Sequence, residues 1–152
     1  MDYRIAMDRT IKILKTFFWA PIIIAVLFVV LYETDVLLPG GLQMDDQGQY
    51  ILLAIVELAT LAAIPLTLYM FRVKSIKNQL TTLGAAALQR YGILRLMILG
   101  ACVMTNTLFY YMTMTPSYGY MAIILVLAMT FIYPSRKRCE AEISTNPTQK
   151  EE

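Results

Sequence analysis

The chain contains no histidine. Without imidazole there is no His-based triad, no His-ligated metal and no side chain that ordinarily titrates between about pH 5 and 8. Two cysteines, Cys102 in an apolar run and Cys139 in a polar stretch, show no metal or redox spacing. Both are expected to be free thiols, Cys139 in a reducing compartment. Charge is scarce too: Asp, Glu, Lys and Arg make up 16% of 152 residues, and the net charge of +2 is too small to suggest binding to nucleic acid. All four serines, Ser75, Ser117, Ser135 and Ser144, lie outside the cores of the long apolar runs, and no phosphotransferase or metalloprotease motif is present. A serine or cysteine nucleophile would therefore have no obvious base. The expectation is a protein that is not an enzyme, with no cofactor and no metal.

What fills the chain instead is hydrocarbon. Hydrophobic residues make up 58% of it and the mean hydropathy is +0.57, which places it among integral membrane proteins. The apolar runs predict an all-α membrane protein with four transmembrane helices, over about 12–32, 50–71, 93–113 and 116–133, in one antiparallel bundle spanning 1–134 and followed by a polar tail, 135–152. Residues 1–15, with Arg4, Arg9, Lys12 and Lys15 among isoleucines and leucine, read as an amphipathic lead-in at the membrane surface. The apolar run after them is long and lacks a small-x-small cleavage pattern, so it reads as a retained helix rather than a signal peptide. Trp19 and Tyr32 mark its two interfaces, and Pro21 is a possible kink. Pro39-Gly40-Gly41 supplies turn chemistry in the first connection, where Asp45-Asp46 lacks the alternating ligands of a calcium loop. In the basic connection after the second run, Ile76, Leu80 and Leu83 recur at helical spacing, with Gly84 as a break. Pro116 suits the first turn of the last helix, and Pro134-Ser135 its termination.

The basic residues fix the expected orientation. Of thirteen Lys and Arg, four lie before or at the start of the first run (Arg4 to Lys15), five from the end of the second to the start of the third (Arg72 to Arg95), and four after the last, with none in the two remaining connections. The positive-inside rule then places both termini in the cytoplasm. Arg136, Lys137 and Arg138, just beyond the last run, are expected to meet anionic lipid headgroups.

Inside the second run, YILLAIVELATLAAIPLTLYMF, lies a single carboxylate, Glu57. Its eleven Leu, Ile, Val and Phe contribute about −5 kcal/mol of insertion free energy, against about 2.5 to 3.5 kcal/mol for a central carboxylate, so the segment should insert with Glu57 in place. The third run is the most polar, and among its Gly100, Cys102, Thr105, Asn106 and Thr107 only Asn106 requires an outside partner, because membrane threonines bond back to their own helix. Counting from Tyr50 and Met114 puts Glu57 and Asn106 at roughly 10 and 12 Å depth. They are therefore expected to hydrogen-bond across neighbouring helices, as an interhelical clamp or as a proton or cation site. Ala59/Ala63 and Gly119/Ala122 are small-residue seams where a helix of the same chain, a second copy or a partner protein could approach closely.

The motifs ETDVLLPGG, IPLTLYMF, YGILRL, the Tyr110-Tyr111 pair and FIYPSRKR together resemble a group of small uncharacterised four-helix inner-membrane proteins of Bacteroidetes-type bacteria. The resemblance implies a bacterial inner-membrane location and carries no activity with it. Two functions are expected from the residues: an accessory, assembly or sensing subunit, or else a small proton- or cation-coupled transporter or channel component that uses Glu57.

Overall fold

The computed structural model describes residues 2–70, 75, 78, 82, 85–137 and 139. It is all-helical: α1 (Asp2–Glu33), α2 (Asp46–Tyr69), α3 (Ala85–Thr113) and α4 (Pro116–Phe131). The first three are long and apolar enough to cross a membrane. At 16 residues α4 is apolar but shorter, about 24 Å at 1.5 Å per residue against a hydrocarbon core of about 30 Å. It ends two residues before the boundary expected at Tyr133. Pro134 has no N–H to return to Thr130, and the chain tightens ahead of it, Ile132 and Tyr133 each donating to the carbonyl three residues back at 3.0 and 3.3 Å.

α3 is the hub. It packs against α1, α2 and α4, most extensively against α1, while α2 touches both α3 and α4. In the most apolar stretch of α3, 44% of residues are buried inside the molecule, compared with 17% in each of α1 and α2, which meet the bundle along one stripe only. On α1 that stripe is Met7, Ile11, Leu14, Phe18 and Ala25, and on α3 it is Leu88, Leu96, Leu99 and Val103. Steps of three, four, seven and eight keep each set on one helix face, so the two interlock along most of their length.

This seam revises the reading of the first residues. Met7, Thr10, Ile11 and Leu14 are buried, and Thr10 Oγ1 donates to Gln89 Oε1 at 3.4 Å. The lead-in forms the first turns of α1 and docks on the N-terminal part of α3 instead of lying alone at a surface. Beyond α4 the chain also folds back. Phe18 meets the Tyr133 ring edge-on at 5.0 Å, Asp8 pairs with Arg136 at 3.3 Å, and Cys139 is buried at the edge of the core with its N–H on the Ser135 carbonyl. The expected polar tail thus begins with an ordered turn, and Cys139 is a core residue. Neither Cys102 nor Cys139 is in a disulfide. Ser75, Asn78 and Thr82 of the basic connection are helical, whereas Ile76, Leu80, Leu83 and Gly84 lie outside the described residues.

At the opposite end the first connection closes over the turn between α3 and α4. Gly40 N–H donates to the Tyr111 carbonyl at 2.8 Å and Leu42 N–H to the Met112 carbonyl at 3.2 Å, satisfying two of the carbonyls that the end of α3 would otherwise leave unbonded. Gly40 does so at φ 76°, a conformation that its missing Cβ permits. Tyr111 adds a side-chain tie: its ring stacks on Tyr32 at 4.5 Å and its hydroxyl donates to Glu33 Oε1 at 3.0 Å.

Candidate functional site

The inward stripe of α2 consists of Thr60, Ala63 and Thr67, two hydroxyls and a methyl in a helix that is otherwise largely Leu, Ile and Ala. Thr67 is satisfied within its own helix, donating to the carbonyls of Ala63 and Ile64 at 2.8 and 2.9 Å. Thr60 is used differently. Asn106 of α3, fully buried, donates from Nδ2 to Thr60 Oγ1 at 2.9 Å and to the Cys102 carbonyl at 2.9 Å. Both amide hydrogens are therefore committed, one to its own helix and one across the α2–α3 seam.

Asn106 does find a partner on α2, but the partner is Thr60. The expected Glu57–Asn106 hydrogen bond is not formed: the amide hydrogens are spent elsewhere, and Asn106 Oδ1 accepts from no side chain. The depth count selected the right pair of helices and missed by one helical turn. Tyr50 and Met114 are not level markers, since α2 starts at Asp46, a full turn before Tyr50, and three residues of helix span about 4.5 Å.

Glu57 stands one turn before Thr60 and is partly buried. Tyr118 belongs to α4. The Tyr118 ring stacks on Phe109 of α3 at 5.6 Å, its side chain is 1% exposed, and its hydroxyl is buried without a partner. Asn106 and Thr60 thus meet across the α2–α3 seam, and two buried side-chain oxygens, Asn106 Oδ1 and the Tyr118 hydroxyl, are unsatisfied. A buried polar atom left without a hydrogen bond costs on the order of 1–3 kcal/mol, so two together need a physical account. Of the neighbouring threonines, Thr107 bonds back to the Val103 carbonyl at 2.8 Å, as expected, and Thr105 is exposed.

The other expected sites separate from this one. Arg136 is engaged by Asp8, Lys137 is exposed, and Arg138 lies outside the described residues. Ala63 is buried inside the bundle while Ala59 is exposed, so that pair does not form one continuous internal seam. Gly119 and Ala122 line an apolar cleft of about 370 Å³ between α1 and α4, floored by Thr107, Tyr110 and Tyr111. Arg95, which the sequence places among the basic residues of the connection, is a buried residue of α3. Among the described residues no three His, Cys, Asp or Glu side chains gather as a metal site.

Sequence reasoning passed over Thr60 and Tyr118. Thr60 follows Glu57 by three residues and so shares its helix face, a usable signal; Tyr118 reads as an interfacial aromatic, and nothing in its spacing marks its hydroxyl as buried. No family model, curated protein or solved structure matches this chain.

Proposed function

We propose that the chain is a multi-pass protein of a bacterial plasma membrane, its helices crossing in antiparallel order with both termini cytoplasmic, and that it serves as a non-enzymatic accessory, assembly or sensing subunit. The observation that carries this reading is the exposure of α1 and α2. Each commits a single stripe to α3 or to the α3–α4 pair and turns outward a broad apolar surface, including Ile23, Val26, Leu27 and Val30 on α1 and Ile51, Ile55, Leu58 and Leu66 on α2. Lipid tails suit such a surface, and so does a second copy or another membrane protein, since helix association in a bilayer rests on packing rather than on hydrophobic exclusion. At the terminal end, the exposed Lys137 and the neighbouring Arg136 and Arg138 offer positive charge to anionic headgroups.

Extraction in a mild detergent followed by native mass spectrometry checks the subunit role. The expected spectrum contains a dimer or higher species, or a stoichiometric complex with another membrane protein. A monomer at every concentration, without any co-purifying protein, contradicts it.

A second reading, a proton- or cation-coupled transporter or channel component, is favoured by one specific feature: the buried, unsatisfied Oδ1 of Asn106, whose amide is bonded to Thr60 one helical turn along α2 from the partly buried Glu57.

A further inference from the structure

The cleft between α1 and α4 has an apolar length and a charged end. Val29 of α1, Tyr110 and Tyr111 of α3, and Gly119, Tyr120 and Ile123 of α4 stand among its walls and enclose about 370 Å³. Gly119 makes part of the room: a Cβ there would lie 3.2 Å from the Tyr110 ring, so the missing side chain leaves the ring its place. Thr107, one turn further from the end of α3, has committed its hydroxyl to the Val103 carbonyl at 2.8 Å, so that part of the cleft presents no free hydroxyl hydrogen. Val29, Tyr120 and Ile123 are exposed, which opens the cleft on the side that the membrane placement turns to lipid.

The charged end is Glu33. It follows Val29 by one turn of α1, about 6 Å along the axis. The hydroxyl of Tyr111, itself part of the cleft wall, donates to Glu33 Oε1 at 3.0 Å. An ionised carboxylate has about four acceptor positions and the phenol fills one, so an exposed Glu33 keeps the rest for a ligand. Tyr111 stacks on Tyr32 at 4.5 Å and meets Tyr110 edge-on at 4.8 Å, so three rings surround the tie to the carboxylate. Nothing in the sequence balances that charge locally. No Lys or Arg occurs from 16 to 71 or from 96 to 135, while Glu33, Asp35, Asp45 and Asp46 lie in or beside the first connection, which closes over this end of α3.

We propose that the cleft is a phospholipid site, holding one acyl chain of a lipid whose headgroup carries an amine, the phosphatidylethanolamine class, with the ammonium at Glu33 and the tyrosine rings. This rests on the membrane placement proposed above. The apolar length suits a hydrocarbon chain, and a carboxylate beside aromatic rings attracts an ammonium group by charge and by cation–π contact. An anionic headgroup would meet four carboxylates and no cation. A second copy fits less well on two counts. One turn of a helix about 10 Å across occupies more than the volume of the cleft. A copy inserted in the same orientation also brings its own acidic end against this one.

The test is native mass spectrometry of the full-length protein, extracted in mild detergent, stripped of lipid and offered phosphatidylethanolamine or phosphatidylglycerol with identical chains. Wild type should bind one phosphatidylethanolamine with about fivefold preference, the scale of an exposed charge pair with a cation–π contact. Glu33→Gln keeps a carbonyl oxygen for the Tyr111 hydroxyl but loses the charge, and should bring the two lipids to equal binding. Ala122→Phe, which fills the cleft, should remove the bound lipid while Ile55→Phe, on the exposed face of α2, leaves it. The proposal is overturned if wild type takes both lipids alike, if Glu33→Gln keeps the preference, or if Ala122→Phe and Ile55→Phe retain lipid equally. It is also overturned if Ala122→Phe converts a dimer to a monomer with lipid binding unchanged, which would assign the cleft to a second copy. Alkaline carbonate extraction of the membranes separates the two levels: a chain released without detergent contradicts the membrane placement itself, whereas a chain that stays integral and lacks the lipid preference contradicts the site alone.

Discussion

Gly100→Leu should loosen α1 from α3 and lower the stability of the whole bundle by about 1–3 kcal/mol, the usual cost of overpacking a close contact. A Cβ at position 100 would lie 2.8 Å from both Cβ and Cγ of Pro21, closer than side-chain carbons approach. The proline ring is joined to its own backbone at both ends and cannot swing aside, so α1 and α3 must separate. Pro21, an interruption when α1 is viewed alone, is here the part of α1 that a glycine on α3 accommodates. Gly92→Ala provides the internal control. Its Cβ would meet Leu14 Cδ2 at 2.7 Å, but that atom is the free end of a flexible side chain and can rotate away. Unfolding by SDS titration from mixed micelles should therefore show a large loss for Gly100→Leu and a much smaller one for Gly92→Ala. Equal losses would mean that the α1–α3 contact is not as tight as described.

Asn106→Asp should be costly in a pH-dependent way. The carboxylate is nearly the same size as the amide but has no N–H for Thr60 or for the Cys102 carbonyl, and that carbonyl would face a negative charge. At neutral pH the expected loss is about 2.5–3.5 kcal/mol, the scale for placing an aspartate in the middle of a membrane helix. The sign follows from burial: the neutral acid is the form the seam tolerates, so the loss should shrink as pH falls and the carboxyl takes up a proton in folded and unfolded states alike. Melting curves for wild type and variant at pH 8 and pH 4 should converge towards the lower pH. A deficit that stays constant with pH would show that position 106 is solvated or repacked.

Helix count and approximate position were legible in the sequence because they depend on one-dimensional properties, a long apolar run or a proline at a boundary. Pro116 at the first turn of α4 and the reversal at Pro39-Gly40-Gly41 are of this kind. What depended on the relative register of two helices was not legible. Asn106 plainly needed a partner on another helix, but whether Glu57 or Thr60 met it turned on one helical turn, and a count from assumed membrane boundaries is no finer than that. The burial of Arg95 and Cys139, and of Met7, Ile11 and Leu14 in a stretch that reads as a surface helix, depends on how far α1 and α3 extend alongside one another. No local pattern encodes that distance. The Tyr118 hydroxyl belongs to the same class: its ring is placed by Phe109, which is nearby only after α4 turns back against α3.

The central claim, that these helices cross a membrane with both termini on the cytoplasmic side, is tested most directly by reporter insertion in a bacterial host. A fluorescent protein that matures only in the cytoplasm, fused after Glu152, should be bright, and alkaline phosphatase, active only after export, inserted at Gly41 should be active. All thirteen basic residues fall on one side of that arrangement, so the two signals should be strong and mutually exclusive at each position. A dark C-terminal fusion together with inactive phosphatase at Gly41 would contradict the account.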